Sequence, residues 1–504
     1  MSAYLLAIDQ STSATKAALF SADGALLDKV SVPHRQIYPR PGWVEHDAAE
    51  IYQNTLQAMR LLMDRKPEGA QQAVCLSITN QRETFVLFDR STGEPLAHAI
   101  VWQCRRGEEI CAQLAADGYE AEVHEKTGLK LDTYFPASKL KWLLEAQPEL
   151  SRKLADGSAL FGTIDTYLIY RLTGGKAYVT DHTNASRTLF YDIDKLNWSQ
   201  ELCQVFGAPY GSLPDIHESS DRFGETDFEG LLEHPIPICG VMGDSQAALF
   251  AQRCFTPGST KVTFGTGSSI LLNLGSKKTL SRKGIVTAIG WVYRNQPTYA
   301  FEGITNFTGA TIAWLRDQLH LIESPEETEA LAAGLPDNGG VYLVPAFVGF
   351  SAPYWRSDAK AAILGLTPAS EKAHVVRAAL ESIGYLVNDV LRLLSSEAGI
   401  DLQYIHADGG AVKNRFLMQF VAEMTRLTVR ASDTPELSAL GAVFSGALGM
   451  EVYSSLSDLQ RLPAEYVEYI PKLELREVEA LDAGWQKAVQ QVLYPGDKEF
   501  KHET

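Results

Sequence analysis

Apolar residues in this chain come in short blocks cut by small polar bends. Tyr4 to Ile8 is the first block, Ala17 to Phe20 the second, and the polar patch Asp9 to Lys16 lies between them. Two apolar runs joined by a polar bend predict a β-hairpin. The turn Ala22-Asp23-Gly24 leads to a third strand over Leu26 to Val32. A helical pattern then runs from Asp47, the expected N-cap, through Met63, and Val74 to Ile78 is the next strand. Strands, then helix, then strand is an α/β plan with a mixed sheet.

The second half repeats that plan. Lys261 to Asn273 is again an apolar run, a polar bend and an apolar run. Small hydroxyl residues mark both bends, Ser11-Thr12-Ser13 and Thr266-Gly267-Ser268-Ser269. The two halves share no simple sequence repeat, so the likeness is one of plan. We place the boundary near Cys254 to Pro257, giving an N-terminal domain 1–254 and a C-terminal domain 255–504 with no Gly/Ser- or Pro-rich linker between them. Strong helical patterns cover His374 to Ser395 and Asn414 to Thr425. The polar tail from Asp497 to Thr504 is expected to fray.

Composition narrows the partners. With 504 residues, two or more cores are expected. A net charge of −17 excludes binding to nucleic acid by general electrostatics and gains nothing from an anionic membrane surface. It leaves room for ATP, because a local cradle of backbone N–H groups can outweigh a distant negative field. Six cysteines without a CxxC pair give no support to zinc or thioredoxin-like chemistry and suit a reducing cytoplasm. The first apolar run meets Asp9 after about five residues, too short for a signal peptide or a membrane span. The expected location is therefore cytoplasmic.

Several motifs carry candidate chemistry. Asp9 at a strand end beside hydroxyl residues can hold hydrated Mg²⁺ while the bend faces phosphate, or it can be the polar tip of an ordinary hairpin. Gly265-Thr266-Gly267 and Asp408-Gly409-Gly410-Ala411 are further bends after apolar runs. Three such bends are what an ATP cleft between two related domains needs. GxxxxGK[ST], GxGxxG, HRD and DFG are all absent, so the chain is no P-loop protein, dinucleotide fold or protein kinase. Arg82-Glu83 and Trp102 follow apolar runs. The charged pair can fix hydroxyls in direction while the indole covers C–H faces, or they can be a surface ion pair and a core tryptophan. Asp244 opens a small-residue helix after Ile238 to Val241, as an N-cap or as a general base.

Taken together these residues resemble the FGGY carbohydrate kinases, and within them the glycerol kinase branch. The likeness covers residues 4 to about 492 and rests on long collinear stretches: Gln36 to Asp47, Ile78 to Thr84, Ala99 to Arg106 and Thr180 to Thr188. Two family patterns join them, Tyr134-Phe-Pro-Ala-Ser-Lys-Leu-Lys-Trp142 and Ala361 to Leu366 followed by His374-Val and Ala378 to Glu381. The resemblance implies two actin-like (ribonuclease-H-like) α/β domains with a nucleotide and substrate cleft between them. It implies ATP-dependent phosphorylation of a terminal hydroxyl of a small polyol or sugar, Mg²⁺ near Asp9, and a homo-oligomer, dimer or tetramer. Around the substrate it implies Arg82, Glu83, Trp102, Tyr134 and Asp244, with Asp244 as base. For the nucleotide it implies Thr12, Ser13, Lys16, Thr266, Gly309, Gly410 and Asn414.

Departures from the family fall at informative places. The phosphate bend usually reads DQGTTSSR, and here it is Asp9-Gln-Ser-Thr-Ser-Ala-Thr-Lys16. Ala313 stands where a glutamine is usual near the nucleotide. Ser245 replaces a glutamine directly after the catalytic aspartate, and Ser269 replaces a phenylalanine that packs on glycerol carbons. Losing an amide and an aromatic wall leaves space for a four- or five-carbon alditol or ketose, unless Ile270 or Phe307 refills it. A catalytically inactive nucleotide sensor on the same fold is disfavoured by the presence of Asp9, Arg82, Glu83 and Asp244.

Overall fold

The computed structural model describes residues 3–494, so the Asp497–Thr504 tail lies outside the described residues. Two large sheets dominate. The first has six strands in the order Arg222–Thr226, Ile236–Gly243, Ala73–Asn80, Tyr4–Gln10, Ala14–Ser21, Leu26–Pro33. The second has seven, in the order Val286–Tyr293, Gln296–Thr305, Ser268–Gly275, Thr260–Phe264, Tyr404–Asp408, Thr428–Ala431, Val467–Tyr469. Each is built on an antiparallel hairpin whose first strand pairs in parallel with a later strand, 4–10 with 73–80 and 260–264 with 404–408. The likeness of plan between the halves is thus a likeness of topology.

The hairpin tip is shorter than the polar patch 9–16 suggested. Gln10 pairs with Thr15 and Asp9 with Lys16 in the antiparallel ladder, and only residues 11–13 lie outside the strands. Buried polar residues continue a ladder when their backbone groups are paired and their side chains find partners. Asp9 therefore sits on the strand, not in the bend. Asp47 caps the helix Ala48–Arg65 as expected, accepting from the N–H groups of Ala49 and Glu50. The long helix Lys372–Ala398 begins with a capping box between Glu371 and His374.

Two helices knit the halves together. Asp244–Ala251 follows directly from the first sheet's strand Ile236–Gly243 yet also packs on the second sheet. Leu437–Gly449, which lies in sequence between the second sheet's strands Thr428–Ala431 and Val467–Tyr469, packs on the first sheet and across Asp244–Ala251. The crossing is close because small residues line it. A Cβ on Gly441 would collide with the carbonyl oxygen of Ala247, and Gly446 lies against the carbonyl of Cys239. Among the described residues no helix is long and apolar enough to cross a membrane.

Adding one methyl at the crossing should therefore force the helices apart. We expect Gly441→Ala to cost about 1–3 kcal/mol and to lower the thermal midpoint by several degrees. Gly211→Ala, where a Cβ meets nothing within 4 Å, is the control and should leave the midpoint in place. Equal midpoints for the two variants in differential scanning fluorimetry would show that the crossing is not tight.

Candidate active site

Strand Ala73–Asn80 ends at the seam between the halves, and the chain turns there. Gln81 N donates to Gln10 O at 2.7 Å and Thr84 N to Arg82 O at 2.8 Å. Glu83 adopts a left-handed backbone, φ 62°, which costs a non-glycine residue energy and persists where surroundings fix it. What fixes it is a buried ion network. Arg82 Nη2 meets Glu302 Oε1 at 2.8 Å, Arg187 Nε meets Glu83 Oε1 at 2.5 Å, and Arg187 Nη1 lies 2.6 Å from Glu302 Oε2. The side chains of all four are at most 6% exposed. Burial alone would raise the pKa of Glu302, but the Arg187 and Arg82 guanidiniums outweigh it and hold the carboxyl down at about 2. Burial raises that of Glu83 despite the same two arginines. Close pairing of this kind offsets the cost of taking these charges out of water.

Asp244 stands at the open edge of this network. It is the first residue of its helix, and Gly243 holds the cap position. Its Oδ1 accepts from Ser245 N at 2.6 Å and lies 3.2 Å from Arg82 Nε. The side chain is 40% exposed. Its other oxygen has no hydrogen-bond or ion-pair partner among the described residues.

An aromatic wall faces these charges. The Trp102 and Tyr134 rings lie 5.3 Å apart, and the Trp102 indole donates to Thr12 Oγ1 at 3.0 Å. Behind them Lys139 is fully buried with no carboxylate partner. It donates to the carbonyls of Val101, Trp102 and Tyr134 at 3.2, 3.4 and 3.2 Å. Burial pushes its pKa down to about 8. One ammonium thus ties together the backbone under both rings.

Hydrogen bonds fix the small bends in place. His34 and Gln36 donate to Thr12 O at 2.8 and 2.7 Å. Thr266 O accepts from Thr308 N and Ala310 N, and Gly265 O from Gly309 N, all at 3.0 Å. The start of helix Gly309–Asp317 is thereby pinned to the bend 265–267. A Cβ on Gly410 would meet nothing within 4 Å, so that bend borders open space. Asn414 caps helix Arg415–Thr425 and donates to Thr328 Oγ1 at 3.0 Å. Lys16 Nζ lies 3.0 Å from Asp9 Oδ2 and 2.7 Å from Glu436 Oε2. Burial raises the pKa of Asp9, and Lys16 offsets part of that rise.

A cavity of about 860 Å³ joins the ion network, the aromatic pair, Thr12 and the bend 266–269. Of the residues expected from the sequence, it brings together Thr12, Arg82, Glu83, Trp102, Tyr134, Asp244, Ser245, Thr266 and Ser269. Asp9, Ser13, Lys16, Gly309, Gly410 and Asn414 do not line it. Arg82 and Glu83 are buried rather than a surface pair, and Trp102 is half-buried, packed on the core while lining the cavity. Sequence reasoning missed Glu302, Arg187 and Lys139. Glu302 carried a signal, a lone charge inside the apolar run Tyr299-Ala-Phe-Glu-Gly-Ile304. Arg187 lay inside a recognised stretch but had no partner visible in the sequence.

Residues 4–251 match the N-terminal domain and 260–450 the C-terminal domain of the FGGY family of carbohydrate kinases. The chain belongs to that family. It is 46% identical to glycerol kinase 1 of Thermotoga maritima, over 97% of this chain and 99% of that one. It is 45% identical to glycerol kinase of Symbiobacterium thermophilum, over 97% and 98%. In structure it is similar to Plasmodium falciparum glycerol kinase with ADP, TM-score 0.92 at 36% identity, covering 98% of both chains. The gluconate kinase of Lactobacillus acidophilus, TM-score 0.86 at 21% identity over 99% of both chains, shares the fold.

Lys139 generates a prediction for this family member. Lys139→Met keeps the side chain's length but leaves three carbonyls without their donor. The aromatic pair should drift, raising KM for the polyol by about tenfold, the equivalent of 1.4 kcal/mol, with KM for ATP unchanged. Steady-state kinetics in both substrates check this. Equal rises in both KM values would mean general loosening instead.

Proposed function

We propose that this kinase transfers the γ-phosphoryl group of ATP to a terminal hydroxyl of glycerol or a closely related polyol. The observation that carries the reading is the Asp244 carboxylate, which lines the cavity, is anchored through Oδ1 and leaves Oδ2 without a partner among the described residues. A polyol hydroxyl lies far above neutral in pKa. Oδ2 takes its proton as the oxygen bonds to the γ-phosphorus and the bond to the bridging oxygen of ADP breaks. Arg82 and Glu83 direct the neighbouring hydroxyls, and Trp102 and Tyr134 cover the carbon chain.

Mg²⁺ suits what the chain offers. Among the described residues no group of three or more His, Cys, Asp or Glu could hold a metal. Mg²⁺ in phosphoryl-transfer sites takes one or two carboxylates and completes its shell with phosphates and water. Asp9 would hold it with its unbridged oxygen, and the ion would neutralise phosphate charge. Thr12, Ser13, Lys16, Thr266, Gly309, Gly410 and Asn414 would border the nucleotide. We read 1–254 as the domain of substrate and phosphate contacts and 255–504 as that of the nucleotide. A cytoplasmic location is supported by six free, buried cysteines, and a homo-oligomer remains our expectation.

Asp244→Asn keeps the shape and loses the proton acceptor. It should lower kcat by about 10²–10⁴-fold with ATP-analogue binding nearly intact. A variant with more than a tenth of wild-type kcat would remove Asp244 from the role of base.

A second reading, a four- or five-carbon substrate, is favoured by one observation. Ser269 Oγ is buried at the cavity wall with no hydrogen-bond partner, and neither candidate refills the space. Ile270 is fully buried in the core, and Phe307 packs on Phe347 at 4.9 Å. Ser245→Gln with Ser269→Phe should raise kcat/KM for glycerol and lower it for C4 and C5 alditols. An unchanged ranking would leave glycerol as the better reading.

A further inference from the structure

The cavity contains a cation that the proposed reaction does not use. Lys130 lies in the loop after helix Glu120–Thr127, half-buried, and lines the cavity together with Ile304 and Ser269 of the second half. Its ammonium sits over the Trp355 ring, 2.9 Å from the centroid. The two other cavity cations, Arg82 and Arg187, are paired with Glu302 and Glu83. Lys130 has no ion pair within 4.0 Å and no hydrogen bond among the described residues. Asp132 is near enough to act on it electrostatically, but that carboxylate is exposed and accepts from Tyr134 N at 2.8 Å.

The chain makes room for this lysine. Gly284, at φ +78°, lies beneath it, and a Cβ there would come within 2.9 Å of both Cε and Nζ. The positive φ and the close approach both favour glycine. The result is a cation stacked on an indole at one part of the cavity wall, with the buried, unpartnered Ser269 Oγ on another. A neutral triol gives an ammonium no counter-charge. A charge-assisted hydrogen bond to a carboxylate is roughly twice as strong as a neutral one.

We propose that Lys130 is a specificity-determining residue that binds an anionic group at the far end of the substrate, so that the cavity accepts a polyhydroxy carboxylate of four or five carbons better than the alditol of the same length. This rests on the kinase reading above. The hydroxyl end lies at Asp244, and the carboxylate end lies at Lys130 over the Trp355 face.

The test compares aldonates and alditols of four and five carbons, measuring kcat/KM by ADP release in wild type, Lys130→Met and Lys130→Arg. Binding of the same aldonates is followed separately by calorimetry without ATP. The wild type should favour the aldonate by about tenfold. Lys130→Met should abolish that preference, and Lys130→Arg should keep part of it. An aldonate no better than its alditol in the wild type, or a ratio unmoved by Lys130→Met, overturns the anion site and leaves the polyol kinase standing. Lys130-dependent aldonate binding without phosphoryl transfer to any polyol supports the anion site and overturns the kinase reading instead.

Discussion

Everything at this site depends on how four charges are kept out of water. Arg82, Glu83 and Arg187 come from the first half and Glu302 from the second, and together they sum to zero. Removing one partner from such a group leaves an uncompensated buried charge, which costs far more than the group gains over an apolar replacement. The network therefore contributes less to stability than to placement. It fixes the left-handed turn at Glu83, and it holds the Arg82 guanidinium against Asp244. Because Glu302 belongs to the other sheet, the geometry of the reacting end is complete only when both halves meet.

The fold supplies that meeting through the crossed helices. Asp244 begins one of them, so the carboxylate is carried on the element whose position is set by both sheets. Ser438 Oγ, on the crossing partner, donates to Asp244 O at 3.0 Å. The aromatic wall is held differently, through backbone carbonyls gathered by Lys139. The two meet at Arg187, whose guanidinium lies over the Tyr134 ring at 5.9 Å and the Phe135 ring at 5.2 Å.

Much of this was legible in the sequence because it obeys local rules. Hairpins, the Asp47 cap and the late helices follow from hydrophobic period and capping chemistry. Asp244, Arg82 and Trp102 stood out because polar residues at strand ends in α/β folds face the crevice. What the sequence hid was pairing at a distance. Glu302 lies 220 residues from Arg82, and Arg187 lies 104 from Glu83. The crossing of Leu437–Gly449 onto the first sheet was hidden for the same reason, since nothing local marks which sheet a small-residue helix covers. Lys130 has an ordinary loop context in the sequence, and only the fold brings Trp355 beneath it.

The most direct measurement is kcat/KM for the polyol in Glu302→Gln, which keeps the shape of the side chain and removes the charge from the second half. Breaking a buried pair costs about 3–5 kcal/mol, and each 1.4 kcal/mol is a decade. The interlocked network predicts a loss of about 10²- to 4 × 10³-fold in kcat/KM, with binding of an ATP analogue within about twofold of wild type. A variant within tenfold of wild-type kcat/KM would contradict it, and Arg82 would then be positioned by the first half alone.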